Sequence, residues 1–172
     1  MQIILPNVRL SFATIYTAKA VNDGEPRFSC SFLMDKVKDK GLIAKVQAAI
    51  DEITKEKFKG KKLPADKVCL RDGDEKEFDG YANQMFVSAA NAKRPQVITR
   101  GKTAVREGEP EAPYSGCYVN GVIRLWAQDN KFGKRINASL EVVQFVKDGE
   151  AFGAPAVDLD CLPDLAEVDP LS

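Results

Sequence analysis

The sequence predicts a mainly β domain: a small, partly open barrel of five or six strands with one amphipathic helix and a flexible acidic C-terminal tail. Several short segments of the 172-residue chain alternate apolar and polar residues, as strands with one buried face do. A single stretch repeats apolar residues at three- and four-residue steps, which is the helical period. A β-sandwich would fit the same pattern, but the inserted helix and an aromatic, basic strand face favour the barrel.

The first two strands are predicted at residues 3–16 and 27–35. Pro6 makes an early break in the first strand, after which Val8, Leu10 and Phe12 alternate with Arg9, Ser11 and Ala13. The second strand places four apolar residues on one face: Phe28, Cys30, Phe32 and Met34. Each strand is therefore expected to bury one face against a common core.

One helix is predicted at residues 39–58. Its apolar stripe consists of Leu42, Ile43, Val46, Ala49, Ile50 and Ile53. The opposite side is rich in lysines and acids and is predicted to be solvated surface, while Gly60 and Pro64 end the helix.

Further strands are predicted at 67–71 and 85–89, followed by a hairpin of 117–128 and 136–146. The second hairpin strand is expected to turn four residues toward the core: Ile136, Ala138, Leu140 and Val142. The turn at 129–135 is basic and exposed in this arrangement.

The loop before the strand at 85–89 carries five acidic residues: Asp72, Asp74, Glu75, Glu77 and Asp79. A nuclease that holds a divalent metal on these carboxylates is one possible interpretation. Their spacing does not follow the EF-hand calcium loop, and no lysine or histidine motif accompanies them. Solvated turn acids are therefore the preferred interpretation.

The composition excludes several kinds of chemistry. The chain has no histidine, which removes Ser-His-Asp and Cys-His catalysis and most zinc sites. Its four cysteines form no CxxC pair, so they are interpreted as reduced, structural thiols. No enzyme activity, cofactor or metal is predicted. Without a membrane-spanning run or a signal peptide, the protein is expected in the cytoplasm, that of the host cell if a phage encodes it.

The zero net charge conceals an asymmetry between a domain at residues 1–155 and a tail at residues 156–172. The tail has no Lys or Arg and contains five acids: Asp158, Asp160, Asp164, Glu167 and Asp169. The remainder of the chain holds 25 basic and 20 acidic residues. This asymmetry indicates an anionic partner for the domain and an interaction role for the tail, although a tail that only aids solubility would give the same pattern.

The strand at 117–128 carries the strongest functional signal. Alternation places Tyr118, Arg124 and Trp126 on the face opposite the core, and the basic turn follows with Lys131, Phe132, Lys134 and Arg135. Aromatic rings interleaved with cations suit unpaired bases on a phosphate backbone. Lys93, Arg94 and Arg100 from neighbouring loops are expected to extend the phosphate track. A bulge near Gly121 would instead turn Trp126 inward.

These features together suggest the oligonucleotide/oligosaccharide-binding (OB) fold. Four segments also resemble a family of bacteriophage single-stranded DNA-binding proteins: VRLSF at 8–12, FSCSFL at 28–33, LRDGD at 70–74 and YSGCYVN at 114–120. The likeness continues through residues 130–131, 140, 143–144 and 148–150, and covers roughly residues 3 to 155.

The resemblance implies an OB-fold related to the T7-type phage proteins, which bind single strands with little sequence preference. It also implies an acidic tail that occupies the DNA groove when DNA is absent and recruits replication or recombination proteins. The expected function is to coat and protect single-stranded DNA during phage replication, recombination or repair. The rival interpretation is an OB-type interaction module or structural phage protein without nucleic-acid binding. The sequence leaves the oligomeric state open, a homodimer included.

Overall fold

The computed structural model describes residues 1–20, 24–152, 161–163 and 165. The acidic residues predicted to form the regulatory tail (Asp158, Asp160, Asp164, Glu167 and Asp169) lie outside the described residues. The boundary predicted at residue 155 lies outside them as well.

The described chain contains seven strands, one α-helix and two short 3-10 helices. The strands are β1 Gln2–Lys19, β2 Arg27–Asp35, β3 Leu70–Asp72, β4 Gln84–Asn91, β5 Gln96–Ile98, β6 Tyr118–Asn130 and β7 Gly133–Lys147. The helix α1 spans Lys40–Phe58, and the 3-10 helices span Ala65–Lys67 and Gly73–Glu75.

Five of the strands form a closed barrel. Neighbouring strands follow the order β4, β2, β1, β6, β7, and a parallel pairing of Ala90 in β4 with Ser139 in β7 completes the ring. β3 pairs with β4 and β5 pairs with β7, outside the ring. The predicted mainly β barrel with one helix is confirmed, and the closing pair together with the two outer strands adds detail that the sequence pattern did not contain.

The barrel interior is filled by the predicted apolar faces. Phe32 and Leu10 are fully buried, and Gly121 packs so closely on the Phe32 ring that a Cβ there would lie 2.6 Å from it. α1 covers part of the barrel by packing on β6, β2 and β7. The helix residues that it buries are Val46, Ala49, Ile50, Ile53 and Phe58.

The strand β6 keeps its alternation along its whole length. Its register with β7 shifts twice, but both extra residues, Glu141 and Val146, lie on β7. Bulges on the partner strand leave the side-chain directions of β6 unchanged, so Trp126 faces outward as predicted. The bulge at Glu141 also makes the prediction for Val142 wrong. Val142 is only half-buried, and Val143 takes the core position.

Candidate nucleic-acid interface

An open groove of about 450 Å³ runs over the outer surface of the barrel. It crosses β2, β4, β6 and β7 and is bordered by the 3-10 helix at Ala65–Lys67 and by β3. Its aromatic lining residues are Phe12, Trp126 and Phe132, and its basic lining residues are Arg27, Lys67, Arg71 and Arg135. Flat rings and cations therefore share one surface.

Trp126 is an outward-facing aromatic residue of β6 and is 41% exposed. It lies opposite Asn137 of β7 in the register. The Asn137 amide donates a hydrogen bond to Oε1 of Gln128, at 3.0 Å, which ties β7 to the next outward position of β6. The indole is thus presented from a paired strand and not from a loop.

The hairpin tip presents a second ring. Asn130 pairs with Gly133 across a two-residue turn, and the Asn130 side-chain oxygen accepts a hydrogen bond from the Phe132 amide at 2.9 Å. Gly133 has a φ of 109°, which a side chain would resist. This compact turn leaves Phe132 75% exposed, with the Lys131 ammonium 5.1 Å from its ring centroid.

The basic residues of the groove are available to an anion. Among the described residues, none of Arg27, Lys67, Arg71 and Arg135 forms an ion pair. Arg71 is held in place by bonds from its guanidinium to the Val68 carbonyl at 3.0 Å and the Asp66 carbonyl at 3.1 Å. Carbonyls fix the direction of the guanidinium without cancelling its charge, so the groove keeps a positive potential.

The floor of the groove is made of small residues. Ser31 of β2 lies opposite Ser88 of β4, and Ser29 lies opposite Ala90. Small side chains leave room for a ligand to approach the sheet closely. The floor thus consists of small serine and alanine side chains, and the rings and cations stand around it.

Comparison with known proteins identifies the family of this chain. The sequence model of the family described as Enterobacter phage Enc34, ssDNA-binding protein, matches residues 1–162. The chain belongs to the Enc34 ssDNA-binding protein family. The family predicted from the sequence is therefore confirmed.

Members of the Enc34 family with solved structures have the same fold. The single-stranded DNA-binding protein from bacteriophage Enc34 in complex with ssDNA superposes with a TM-score of 0.81 at 31% identity, covering 88% of this chain and 89% of that chain. A second structure of the single-stranded DNA-binding protein from bacteriophage Enc34 gives a TM-score of 0.78 at 32% identity, covering 92% of this chain and 88% of that chain. Putative protein p50 of Acyrthosiphon pisum secondary endosymbiont phage 1 is 39% identical over 162 residues, 88% of this chain and 86% of its own.

The other residues predicted to bind nucleic acid fall at varying distances from the groove in this Enc34-family fold. Lys131 and Lys134 are exposed at the hairpin tip, next to the groove residues Phe132 and Arg135. Arg124 faces outward on β6, but its guanidinium lies 3.7 Å from the Glu141 carboxylate. Tyr118 lines a separate polar depression, where the Lys147 ammonium is 4.8 Å from its ring centroid.

The predicted basic residues of the loops are partly engaged elsewhere. The Arg100 guanidinium pairs with Glu111 at 2.9 Å. The Arg94 guanidinium stacks 4.9 Å from the Phe28 ring centroid and donates to the Tyr16 carbonyl. Lys93 is exposed at the bend after β4. None of these three lines the groove.

Four aromatic or basic groove residues are absent from the site predicted by the sequence: Phe12, Arg27, Lys67 and Arg71. Arg27 had a usable signal, because the buried positions of β2 imply that Arg27, Ser29 and Ser31 point the other way. Arg71 and Lys67 come from a short outer strand and its preceding turn, whose place beside the groove depends on tertiary pairing. Phe12 had no signal, since alternation predicts it on the core side.

Two of the acids at 72–79 have a structural role. The Lys36 ammonium lies 2.7 Å from Asp72 and 2.6 Å from Asp74. Hydrogen bonds from Lys36 and from the Asp74 amide lower the pKa of Asp72, while the Asn83 amide and then Lys36 lower the pKa of Asp74. Across the described ranges, no group of three His, Cys, Asp or Glu side chains is placed to hold a metal ion.

The cysteines of the described residues are all free thiols. Cys30 and Cys69 are buried beneath the groove, and burial raises the pKa of Cys69 to about 11. Cys117 is also buried, whereas Cys161 is exposed. Separately, no helix in the part of the chain that the structure describes has the length and apolar character needed to cross a membrane.

Proposed function

We propose that this protein binds single-stranded DNA in the groove, with little preference for sequence. The observation that carries the proposal is the shared surface: two outward rings, Trp126 and Phe132, stand among four basic side chains that have no acidic partner in the described residues. Membership of the Enc34 family supports it, since the Enc34 protein was solved in complex with ssDNA.

The binding free energy comes from two sources, base stacking and attraction between phosphates and basic side chains. Bases stack on Trp126 and Phe132, each worth about 1–3 kcal/mol. Phosphates lie against Arg27, Arg71 and Arg135, with Lys67 beside them, and release counterions as they bind. A duplex hides the faces of its bases, so these rings select unpaired strands. The rings recognise a π-face that every base has, and hence binding tolerates any sequence.

The other predicted contacts remain part of the proposal at its margins. Lys131 and Lys134 attract the phosphate backbone at the hairpin tip. Tyr118, Arg124, Lys93, Arg94 and Arg100 would be reached by a strand that continues beyond the groove, and their present partners would have to be exchanged for phosphate or base. They are expected to contribute less than the groove residues.

The biological role follows from sequence-tolerant binding. The protein coats and protects single-stranded DNA during phage replication, recombination or repair, in the cytoplasm of the host cell. It performs no catalytic step, and DNA incubated with it and magnesium or manganese is expected to stay intact. The acidic tail competes with DNA for the groove and recruits replication or recombination proteins.

A titration tests the proposal. Fluorescein-labelled oligo-dT of about 30 nucleotides and its duplex with oligo-dA are titrated at low salt, with anisotropy and tryptophan fluorescence read together. We expect tight binding of the single strand with quenching of Trp126, and weak binding of the duplex. Absence of binding to oligo-dT, both for the whole chain and after removal of residues 156–172, would refute the proposal. Binding without quenching would keep the function and exclude Trp126 as a platform.

A further inference from the structure

Phe12 occupies an anomalous place in β1. Ser11 lies opposite Ser31 and Thr14 opposite Ser29, so β1 uses three steps where β2 uses two. The extra residue breaks the alternation: Leu10 and Ser11 are both buried, and Phe12 is 56% exposed. The bulge therefore moves a phenyl ring from the expected core side to the groove side, beside the serine floor.

The backbone at Phe12 is strained. Its φ is 48°, in the left-handed region that glycine and asparagine adopt readily and a phenylalanine does not. More than half of Phe12 is exposed, so burial of the ring offsets this strain only in part. Strain of this kind is concentrated at sites where the protein contacts a ligand.

A second exposed ring is fixed beside the first. Phe78 is 48% exposed, and its ring centroid lies 5.0 Å from that of Phe12 in an edge-to-face contact. Both rings rest on Tyr81, at 5.3 Å from Phe78 and 6.0 Å from Phe12. Tyr81 is itself buried, and its hydroxyl lies 3.0 Å from the Ser11 hydroxyl. The bulge and the ring pair are thus one connected structure.

The loop that carries Phe78 is anchored at both ends. The double ion pair of Lys36 holds Asp72 and Asp74, and Asp74 accepts a hydrogen bond from the Asn83 amide at 2.8 Å. Gly73 packs against the Tyr81 carbonyl so tightly that a Cβ would lie 2.4 Å from it. These contacts hold both ends of the loop, and the Phe78 ring packs between Phe12 and Tyr81.

We infer that Phe12, supported by Phe78, is a further base-stacking platform of the groove, separate from Trp126 and Phe132. The inference rests on the proposed function. It assigns a binding role to Phe12, which simple alternation of β1 would place on the core side of the sheet. The acids on either side of Phe78, Glu77 and Asp79, are exposed and give no attraction to phosphate. The platform therefore acts through stacking alone, with no contribution from charge.

The test separates stacking from charge. Affinities of the full chain and of Phe12→Ala, Phe78→Ala and Arg135→Ala are measured for oligo-dT and for an abasic deoxyribose-phosphate oligomer of equal length, over a range of salt. We expect Phe12→Ala to bind oligo-dT about tenfold more weakly. Phe78→Ala, which removes the support, should lose about threefold. Neither should change the abasic affinity or the dependence of affinity on salt.

Two controls accompany these variants. Arg135→Ala should weaken binding of both oligomers and reduce the salt slope by about 1. Ile4→Ala removes an exposed apolar side chain from the same strand, outside the groove, and should bind as the unaltered chain does.

Replacement of Phe12 by other apolar residues tests the need for a ring. Phe12→Trp should bind oligo-dT as the unaltered chain does, whereas Phe12→Leu, which is apolar without a π-face, should bind as weakly as Phe12→Ala.

The outcomes distinguish this inference from the proposed function. If the unaltered chain binds oligo-dT and both phenylalanine variants match it, the platform is refuted and the groove function stands. An equal loss on the abasic oligomer would also refute the platform, because it would show a general disturbance of the site. Failure of the unaltered chain to bind oligo-dT would refute both.

Discussion

At the scale of single residues, the proposed binding site depends on which side chains turn away from the core. Trp126 does so because β6 alternates without interruption, and Phe12 does so because β1 does not. The first could be predicted from periodicity. The outward direction of Phe12 could not be predicted, because the bulge depends on pairing with β2 and the apolar pattern of β1 does not indicate it.

Replacement of Trp126 tests the first case. Trp126→Ala is expected to weaken binding of oligo-dT by about 1–3 kcal/mol with little change in fold stability, since the ring is already 41% exposed. Trp126→Phe should recover part of the loss because it keeps a flat ring. Anisotropy titration gives the affinities and urea unfolding the stabilities. A stability loss as large as the affinity loss would contradict the expectation.

Glycine at position 12 tests the second case. Phe12→Ala retains the left-handed backbone and loses the ring, whereas Phe12→Gly loses the ring and relieves the strain. The free energy of unfolding, measured in urea, should therefore be about 1 kcal/mol higher for Phe12→Gly than for Phe12→Ala. The two variants should bind oligo-dT equally weakly. Equal stability of the two variants would mean that the backbone at this position is not under strain in solution.

At the scale of elements, most of the fold could be predicted from the sequence. The predicted helix begins within a residue of the observed one, and both hairpin strands lie where alternation predicts them, because repeats of period 2 and 3.6 are local signals. The electrostatic state of a residue is not local. Arg100 appears as a free cation in the sequence, and only the folded chain brings Glu111 to within 2.9 Å of it.

The loop from β3 to β4 gives an element-scale prediction about acid. Hydrogen bonds keep the pKa values of both acids below their ordinary 3.8: those from Lys36 and the Asp74 amide act on Asp72, and those from the Asn83 amide and then Lys36 act on Asp74. The part that Lys36 contributes is present above that pH and is lost as the pH falls through the lowered values. Lys36→Met should therefore be less stable than the unaltered chain at pH 7, and the gap should close in strong acid.

Urea unfolding at a series of pH values measures this gap. Lys45→Met is the matched control, since Lys45 is an exposed helix lysine that forms no ion pair among the described residues. A gap for Lys36→Met that stays constant from neutral to strongly acidic pH would mean that packing, and not the ion pairs, stabilises the loop.

At the scale of the whole molecule, a neutral chain is divided into a domain with an excess of basic residues and an acidic tail. Removal of residues 156–172 is expected to tighten binding of oligo-dT, most strongly at low salt where screening is weakest. A tail of the same length with Asn and Gln in place of its five acids should tighten binding equally if charge is the cause. Equal affinity at low salt with and without the tail would refute competition for the groove.

The barrel closes by a narrow seam that also lies under the groove. In the described strands, β4 and β7 share the single register pair of Ala90 and Ser139, and Ala90 and Ala138 both line the groove floor. Local opening of a fold begins where the fewest contacts have to break. A nucleotide strand bound in the proposed groove would lie across this seam and hold its two edges together. The protein is therefore expected to resist unfolding and proteolysis longest while it coats DNA, and to become more easily degraded once the second strand is synthesised and displaces it.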